Sequence, residues 1–193
     1  MNSDVDGLEI KESELLVATA DGGDGMIDQQ LVDVLQLIKS KLGMDVVFVP
    51  DFVDGQRSFK YVDPHPAFVG VEVGASDPLE ETWCQHVVEG RLPEFIPRVA
   101  DFPKCDLPPT RFEIGTYVSV PVMLDRGQVY GTLCCISQFP STSAKHTDLS
   151  RLRYVANLIG MKMDQAHKKR LAILGPTTVS RCKADSKQKR GTA

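Results

Sequence analysis

Two strand-forming runs in the second half of the chain, "TYVSVPVML" (116–124) and "QVYGTLCCIS" (128–137), are separated only by Asp125, Arg126 and Gly127. So short a connection joins antiparallel neighbours, and its glycine supplies the left-handed residue such a turn needs. Pro121 inside the first run marks a bulge or an edge position. A second pair, "MDVVFVPDF" and "SFKYV", flanks the turn "DGQR" and reads as another hairpin. Two hairpins commit the chain to an antiparallel sheet, and the remaining apolar segments must cover it.

Those segments are helical. Ile27, Leu31, Val34, Leu35, Ile38 and Leu42 recur at three- and four-residue steps, and Gly43 follows as a stop. Leu149, Leu152, Ala156, Ile159, Met163 and Ala166 form a coiled-coil-like seam, which predicts pairing with another helix. Lys168, Lys169 and Arg170 suit that helix's C-terminal dipole, and "GP" at 175–176 breaks it. In "LEETWCQHVVEG", Asp77 and Pro78 are placed to start a helix and Gly90 to stop it. Residues 63–78 read as irregular, and the proline-rich stretch after Gly90 reads as loop with a short strand near Phe95 and Ile96. The expected class is α+β, an antiparallel sheet with helices packed on it.

The 193 residues suit one domain with tails. Residues 1–25 read as an acidic flexible segment in which "LEIKESELLVATA" forms a short helix, 26–170 as the folded domain, and 171–193 as a basic disordered tail. Eight acids against Lys11 in residues 1–30, and eight bases against Asp185 in residues 167–193, give ends of opposite sign. The tail has no aromatic residue to stack on bases and the middle of the chain is acidic, so no nucleic-acid partner is expected. No apolar run approaches the roughly 18 residues of a membrane helix, and no secretion signal is visible. Five cysteines without regular spacing suit reduced thiols in a cytoplasm.

Three blocks, "LGMDVVFVPDFVDGQRSFKYV", "LEETWCQHVVEGRLPEFIP" and "IGTYVSVPVMLDRGQVYGTLCCIS", resemble those of GAF domains, in the family's order. The type is the bacterial sensory GAF domain linked to cyclic-di-GMP enzymes and histidine kinases. The resemblance covers roughly residues 26–166. It implies a six-stranded antiparallel sheet sandwiched by helices, as in GAF/PAS-like folds. It also implies a small-molecule pocket on one face and a homodimer formed through the terminal helices, here 26–42 and 147–170. The pocket would lie near residues 63–115, lined by Phe48, Tyr61, Trp83, Cys84, Val87, Cys105, Tyr117 and Ser119. Tyr117 and Ser119 are the alternate strand positions with polar groups to fix a ligand. Arg98 stands where many members have aspartate, with Asp101 three residues on, so any loop closure is built differently here. An effector domain or partner protein would receive the signal, in a stand-alone sensor or a fragment of a longer protein.

Other chemistries find less support. Cys84 and His86 lie about 200° apart on a helix, and Cys134 and Cys135 point to opposite faces of a strand. Neither pair makes half of a zinc site or a thiolate–imidazole couple, so no metal and no catalytic residue is expected. The Asn-Lys…Phe…Asp-Glu signature of cyclic-nucleotide-binding members is missing, since the only asparagines are Asn2 and Asn157. Cys105 stands fifteen residues before Val120, as a bilin-bearing cysteine would. Asp106 replaces the usual histidine, however, and Pro108–Pro109 break the expected helix, which argues against a bilin. The loop before Ile114 offers no axial histidine for haem, and His65 and His86 lie elsewhere. The expectation is a non-catalytic sensory domain that binds a small molecule. The alternatives are a ligand-free dimerisation module and a Cys-dependent redox enzyme of the free methionine sulfoxide reductase type, using Cys84 or Cys105.

Overall fold

The computed structural model describes residues 24–174, with side chains left undescribed at Cys105, Arg126 and a few positions near the two ends. The short helix expected in residues 1–25 and most of the basic tail lie outside the described residues. The described part is a six-stranded antiparallel sheet in the order β3-β2-β1-β6-β5-β4. The strands are β1 (Val46–Val53), β2 (Gln56–Asp63), β3 (Ser76–Pro78), β4 (Phe95–Ile96), β5 (Thr116–Met123) and β6 (Val129–Ser137). Two long helices, α1 (Asp24–Leu42) and α3 (Asp148–Leu174), cover one face, and the short α2 (Trp83–Val88) lies with its flanking loops on the other.

Each hairpin forms for the reason its sequence gives. Asp54 and Gly55 both adopt positive φ, 51° and 73°, the conformation of a type I′ turn that matches strand twist. Gly127 has φ 76° in the turn between β5 and β6. Pro121 lies beyond the two-residue β4, where β5 has no partner on that side, so its missing N–H breaks no ladder bond. A second proline, Pro50, sits at a bulge in β1, and Gly131 of β6 faces it. A Cβ on Gly131 would lie 1.9 Å from the Pro50 carbonyl oxygen, so only glycine admits the bulge.

Strand alternation sorts the side chains into two cores. Val47, Cys135 and Val118 lie opposite one another on β1, β6 and β5 and face α1 and α3. Phe48, Cys134 and Ser119 form the parallel row on the other face. α1 buries Leu31, Val34, Leu35, Ile38 and Leu42, then ends at Gly43 (φ 59°) with the Met44 N–H donating to the Lys39 carbonyl at 3.0 Å.

Three expectations are corrected. The apolar seam of α3 is not open to a partner helix: Leu152, Ala156 and Ile159 are at most 3% exposed and pack on this chain's own sheet. The stripe meets a sheet with the spacing that would also suit a coiled coil. The helix within "LEETWCQHVVEG" starts at Trp83, with Thr82 as N-cap accepting the Gln85 N–H at 3.2 Å. Asp77 and Pro78 instead belong to β3, a strand hidden in the segment read as irregular, and Leu79–Glu81 form a 3-10 turn between them.

Candidate functional site

The face opposite α1 and α3 carries an open cleft. Its floor is Tyr117 of β5 and Ile136 of β6, and Trp83 at the start of α2 forms one wall. Segment 109–114 forms the facing wall through Arg111, Phe112 and Ile114, and Arg57, Asp77 and Glu81 form the polar edge. The cleft leaves about 120 Å³ free. Trp83 is fixed from two directions: its indole N–H donates to the Pro108 carbonyl at 2.8 Å, and its ring meets Tyr117 edge-on at 5.0 Å. Both arginines reach Asp77, Arg57 through a short ion pair with one carboxylate oxygen and Arg111 at 3.0 Å to the other. Arg57 is mostly buried and stacks over Phe59 at 4.8 Å, whereas the Arg111 side chain is 71% exposed at the mouth.

Beneath the cleft lies a sulfur-centred polar cluster. The Cys84 and Cys134 Sγ atoms are 3.2 Å apart, although 50 residues separate them in the chain. The Arg57 guanidinium donates to Cys84 Sγ at 3.6 Å, and the Tyr117 hydroxyl donates to it at 3.7 Å. Ser119 Oγ and Thr132 Oγ1 each lie 3.1 Å from Cys134 Sγ. Both thiols are fully buried. Burial pushes the Cys84 thiol up, but the hydrogen bond with Cys134, the Arg57 charge and further bonds from Thr132 and Arg57 outweigh it, so its pKa falls to about 5. The Cys134 thiol moves well above its ordinary value, through burial and then the adjacent Cys84. The two shifts run in opposite directions, so within the pair a proton is held more readily by Cys134 than by Cys84. Cys135, on the opposite face, is raised by burial alone.

The expected site residues divide. Trp83 and Tyr117 line the cleft. Cys84 and Ser119 sit beneath it in the sulfur cluster, and Phe48 and Val87 are buried in the same core. Tyr61 is on the other face, packed among the α1 and α3 side chains with the Lys162 ammonium 5.6 Å from its ring centre. Cys105 belongs to a 3-10 turn, Lys104–Asp106, and its side chain lies outside the described residues. His86 faces away from Cys84, its Nε2 accepting from Arg91 at 2.6 Å. Among the described residues no three His, Cys, Asp or Glu side chains converge on a metal-sized point.

Sequence reasoning missed Arg57, Asp77, Arg111, Thr132 and the meeting of Cys84 with Cys134. The β-strand period shared by Ser119, Thr132 and Cys134 was the one available signal, because it puts all three on one face if the hairpin register is known.

The fold has close counterparts among solved structures. A phycocyanobilin-bound GAF domain from a cyanobacterial phytochrome superposes with TM-score 0.66 at 14% identity, covering 84% of this chain and 96% of that one. The GAF domain of an Acinetobacter phosphoenolpyruvate-protein phosphotransferase gives 0.63 at 16% identity, covering 89% and 97%. A type II free methionine-R-sulfoxide reductase from Thermoplasma acidophilum gives 0.56 at 17% identity, covering 72% and 92%. At these identities the likeness is one of fold. No curated protein matches the sequence significantly. The sequence profile of the GAF domain does match, over residues 27–163, and with the six-stranded sheet and its helices this assigns the chain to the GAF domain family.

Proposed function

We propose that this chain is a non-catalytic sensory domain whose cleft binds a small metabolite carrying a carboxylate and relays binding to α3. The observation that carries this reading is the polar edge. Arg111 presents a largely exposed guanidinium at the mouth, steadied by Asp77, Glu81 supplies negative charge beside it, and Trp83 and Phe112 offer apolar walls. A carboxylate suits Arg111 and an ammonium suits Glu81, so an amino acid or similar small zwitterion matches both. The cleft's free volume of about 120 Å³ is on the scale of such a small molecule. Relay follows from β5, which presents Tyr117 to the cleft and Val118, Val120 and Val122 to the core shared with α3. A ligand that prefers one position of β5 biases the position of α3.

Self-association belongs to the same proposal, with a different surface from the apolar seam. Tyr154 and Met161 lie on the outward side of α3, 47% and 48% exposed, and a second copy is the occupant we assign to them. An effector domain or partner protein would read the helices. The buried free thiols suit a reducing compartment, and we place the chain in the cytoplasm. Among the described residues no helix is long and apolar enough to cross a membrane.

Trp83 is the only tryptophan and lines the cleft, so its fluorescence reports occupancy. Titrating the full chain with small carboxylates and amino acids, free methionine sulfoxide included, is expected to give a saturable change for at least one. Arg111→Ala is expected to weaken that binding about tenfold or more, the effect of one charged hydrogen bond. Absence of any saturable ligand would favour a ligand-free dimerisation module. Consumption of methionine sulfoxide that stops in Cys84→Ser would instead establish a redox enzyme, a reading favoured only by the thiolate beneath the cleft.

A further inference from the structure

The Cys84–Cys134 pair is more than core packing requires. A fully buried thiol ordinarily behaves as a small apolar group, as Cys135 does among the valines and leucines of the helix-side core. Cys84 and Cys134 are instead ringed by Arg57 from β2, Tyr117 and Ser119 from β5 and Thr132 from β6. Their sulfurs, 3.2 Å apart, need to close by only about 1.2 Å to reach bonding distance. Arg57 connects them to the outside, since it lines the cleft and also contacts Cys84 Sγ.

We propose that Cys84 and Cys134 form an intramolecular disulfide when the protein meets a hydroperoxide, so that the cluster beneath the cleft is a redox-sensitive modification site. The Cys84 thiolate attacks one peroxide oxygen, the O–O bond breaks, and hydroxide (or alkoxide) leaves and takes up a proton. Cys84 is then a sulfenic acid. The Cys134 sulfur attacks that sulfur, the S–O bond breaks, and the hydroxyl leaves as water with the Cys134 proton. Two electrons pass from the two sulfurs to the peroxide, and a cellular dithiol reverses the change by thiol–disulfide exchange. Cys84 is assigned as the attacking sulfur because the Arg57 guanidinium donates to it and favours its anion, while Cys134 has only hydroxyl partners besides Cys84 and gives up its proton in the second step. Oxidation removes the negative charge facing Arg57, so the cleft edge gains one unit of positive charge and its preference for a carboxylate increases. The modification itself does not depend on the cleft's taking a ligand.

The test uses the full chain, reduced, with all five thiols free at the start. Hydrogen peroxide at low molar excess is followed by blocking of free thiols and peptide mapping without reductant. The expected result is a peptide pair joined through Cys84 and Cys134, reversed by dithiothreitol, with Cys135 still free. In Cys134→Ser the expected product is a dimedone-trapped sulfenic acid at Cys84. Peroxide that oxidises Cys105 or Cys182 while Cys84 and Cys134 both stay reduced would overturn the proposal, as would a disulfide joining Cys84 to any other cysteine. If the Cys134→Ser chain does not fold, the wild-type map alone decides. The map needs no ligand, so its failure is distinct from failure of the binding reading.

Discussion

At the scale of single residues, Arg57 holds together the region where charge is buried. It stacks on Phe59, pairs with Asp77 and donates to Cys84. Replacing it with glutamine leaves the buried Cys84 sulfur and the half-buried Asp77 carboxylate without this cation. A loss of roughly 3–5 kcal/mol in denaturant unfolding is expected, the range for breaking one side of a buried charge pair. The Cys84 thiol makes a second prediction. Its ordinary pKa is near 9 and its folded value about 5, so between those values the unfolded chain carries a proton that the folded chain lacks. Stability from this group is therefore present above pH 9 and is lost as pH falls through 5. The groups facing it are Arg57, Cys134 and Tyr117; the last two have raised values and act oppositely, lowering stability only above their ordinary range. Calorimetry in reducing buffer should show the melting temperature of wild type gaining on Cys84→Ser as pH rises from 5 to 9. A constant difference would mean that Cys84 is protonated in the fold. None of this was legible in "EETWCQHVVEG", where the visible neighbour of Cys84 was His86. The true neighbours, Arg57, Cys134 and Tyr117, are set by the registers of β2 on β1, β1 on β6 and β6 on β5, which local sequence does not contain.

At the scale of elements, α3 was found by its period, yet its partner was misjudged. Three- and four-residue steps say that a helix has one apolar face, not what covers it. Here the covering surface is β5 and β6, and Gly160 shows how close the approach is. A Cβ there would lie 2.0 Å from the Met123 carbonyl oxygen at the end of β5. Gly160→Ala improves intrinsic helix propensity by about 1 kcal/mol, but it must push the helix off the strand. A net destabilisation of about 1–3 kcal/mol is expected in urea unfolding, as for overpacked cores. The outward side of α3 has a different signature. Tyr154→Glu with Met161→Glu should leave the melting temperature nearly unchanged and shift light scattering from dimer to monomer; a dimer that survives both changes rejects this surface. The hairpins and α1 were legible because turn chemistry, alternation and a terminal glycine agree locally. β3 was not, because three residues paired to one edge of β2 leave no periodic trace.

At the scale of the whole molecule, the two cores are built from buried residues between Leu31 and Ile159. We therefore propose 26–170 as the self-sufficient unit. A chain restricted to residues 24–174 is expected to melt within a few degrees of the full chain and to keep the Trp83 response; a large loss would give the charged ends a structural part. The sheet separates a mainly apolar helix layer, which includes Cys135 and Lys162, from a layer that carries the Arg57–Asp77 and Cys84–Cys134 pairs and the cleft. The contact between Gly160 and Met123 has a mechanical meaning in this arrangement. It makes a fulcrum on α3, with the buried half of the helix on one side and an arm of 14 residues, Met161 to Leu174, on the other, tied to the β5–β6 turn where Asp164 and Lys168 meet Asp125. At 1.5 Å per residue that arm is about 21 Å long, so a tilt of about 5° at the fulcrum swings its end by nearly 2 Å. An adjustment of β5 too small to see at the cleft would thus be magnified at the far end of the helix.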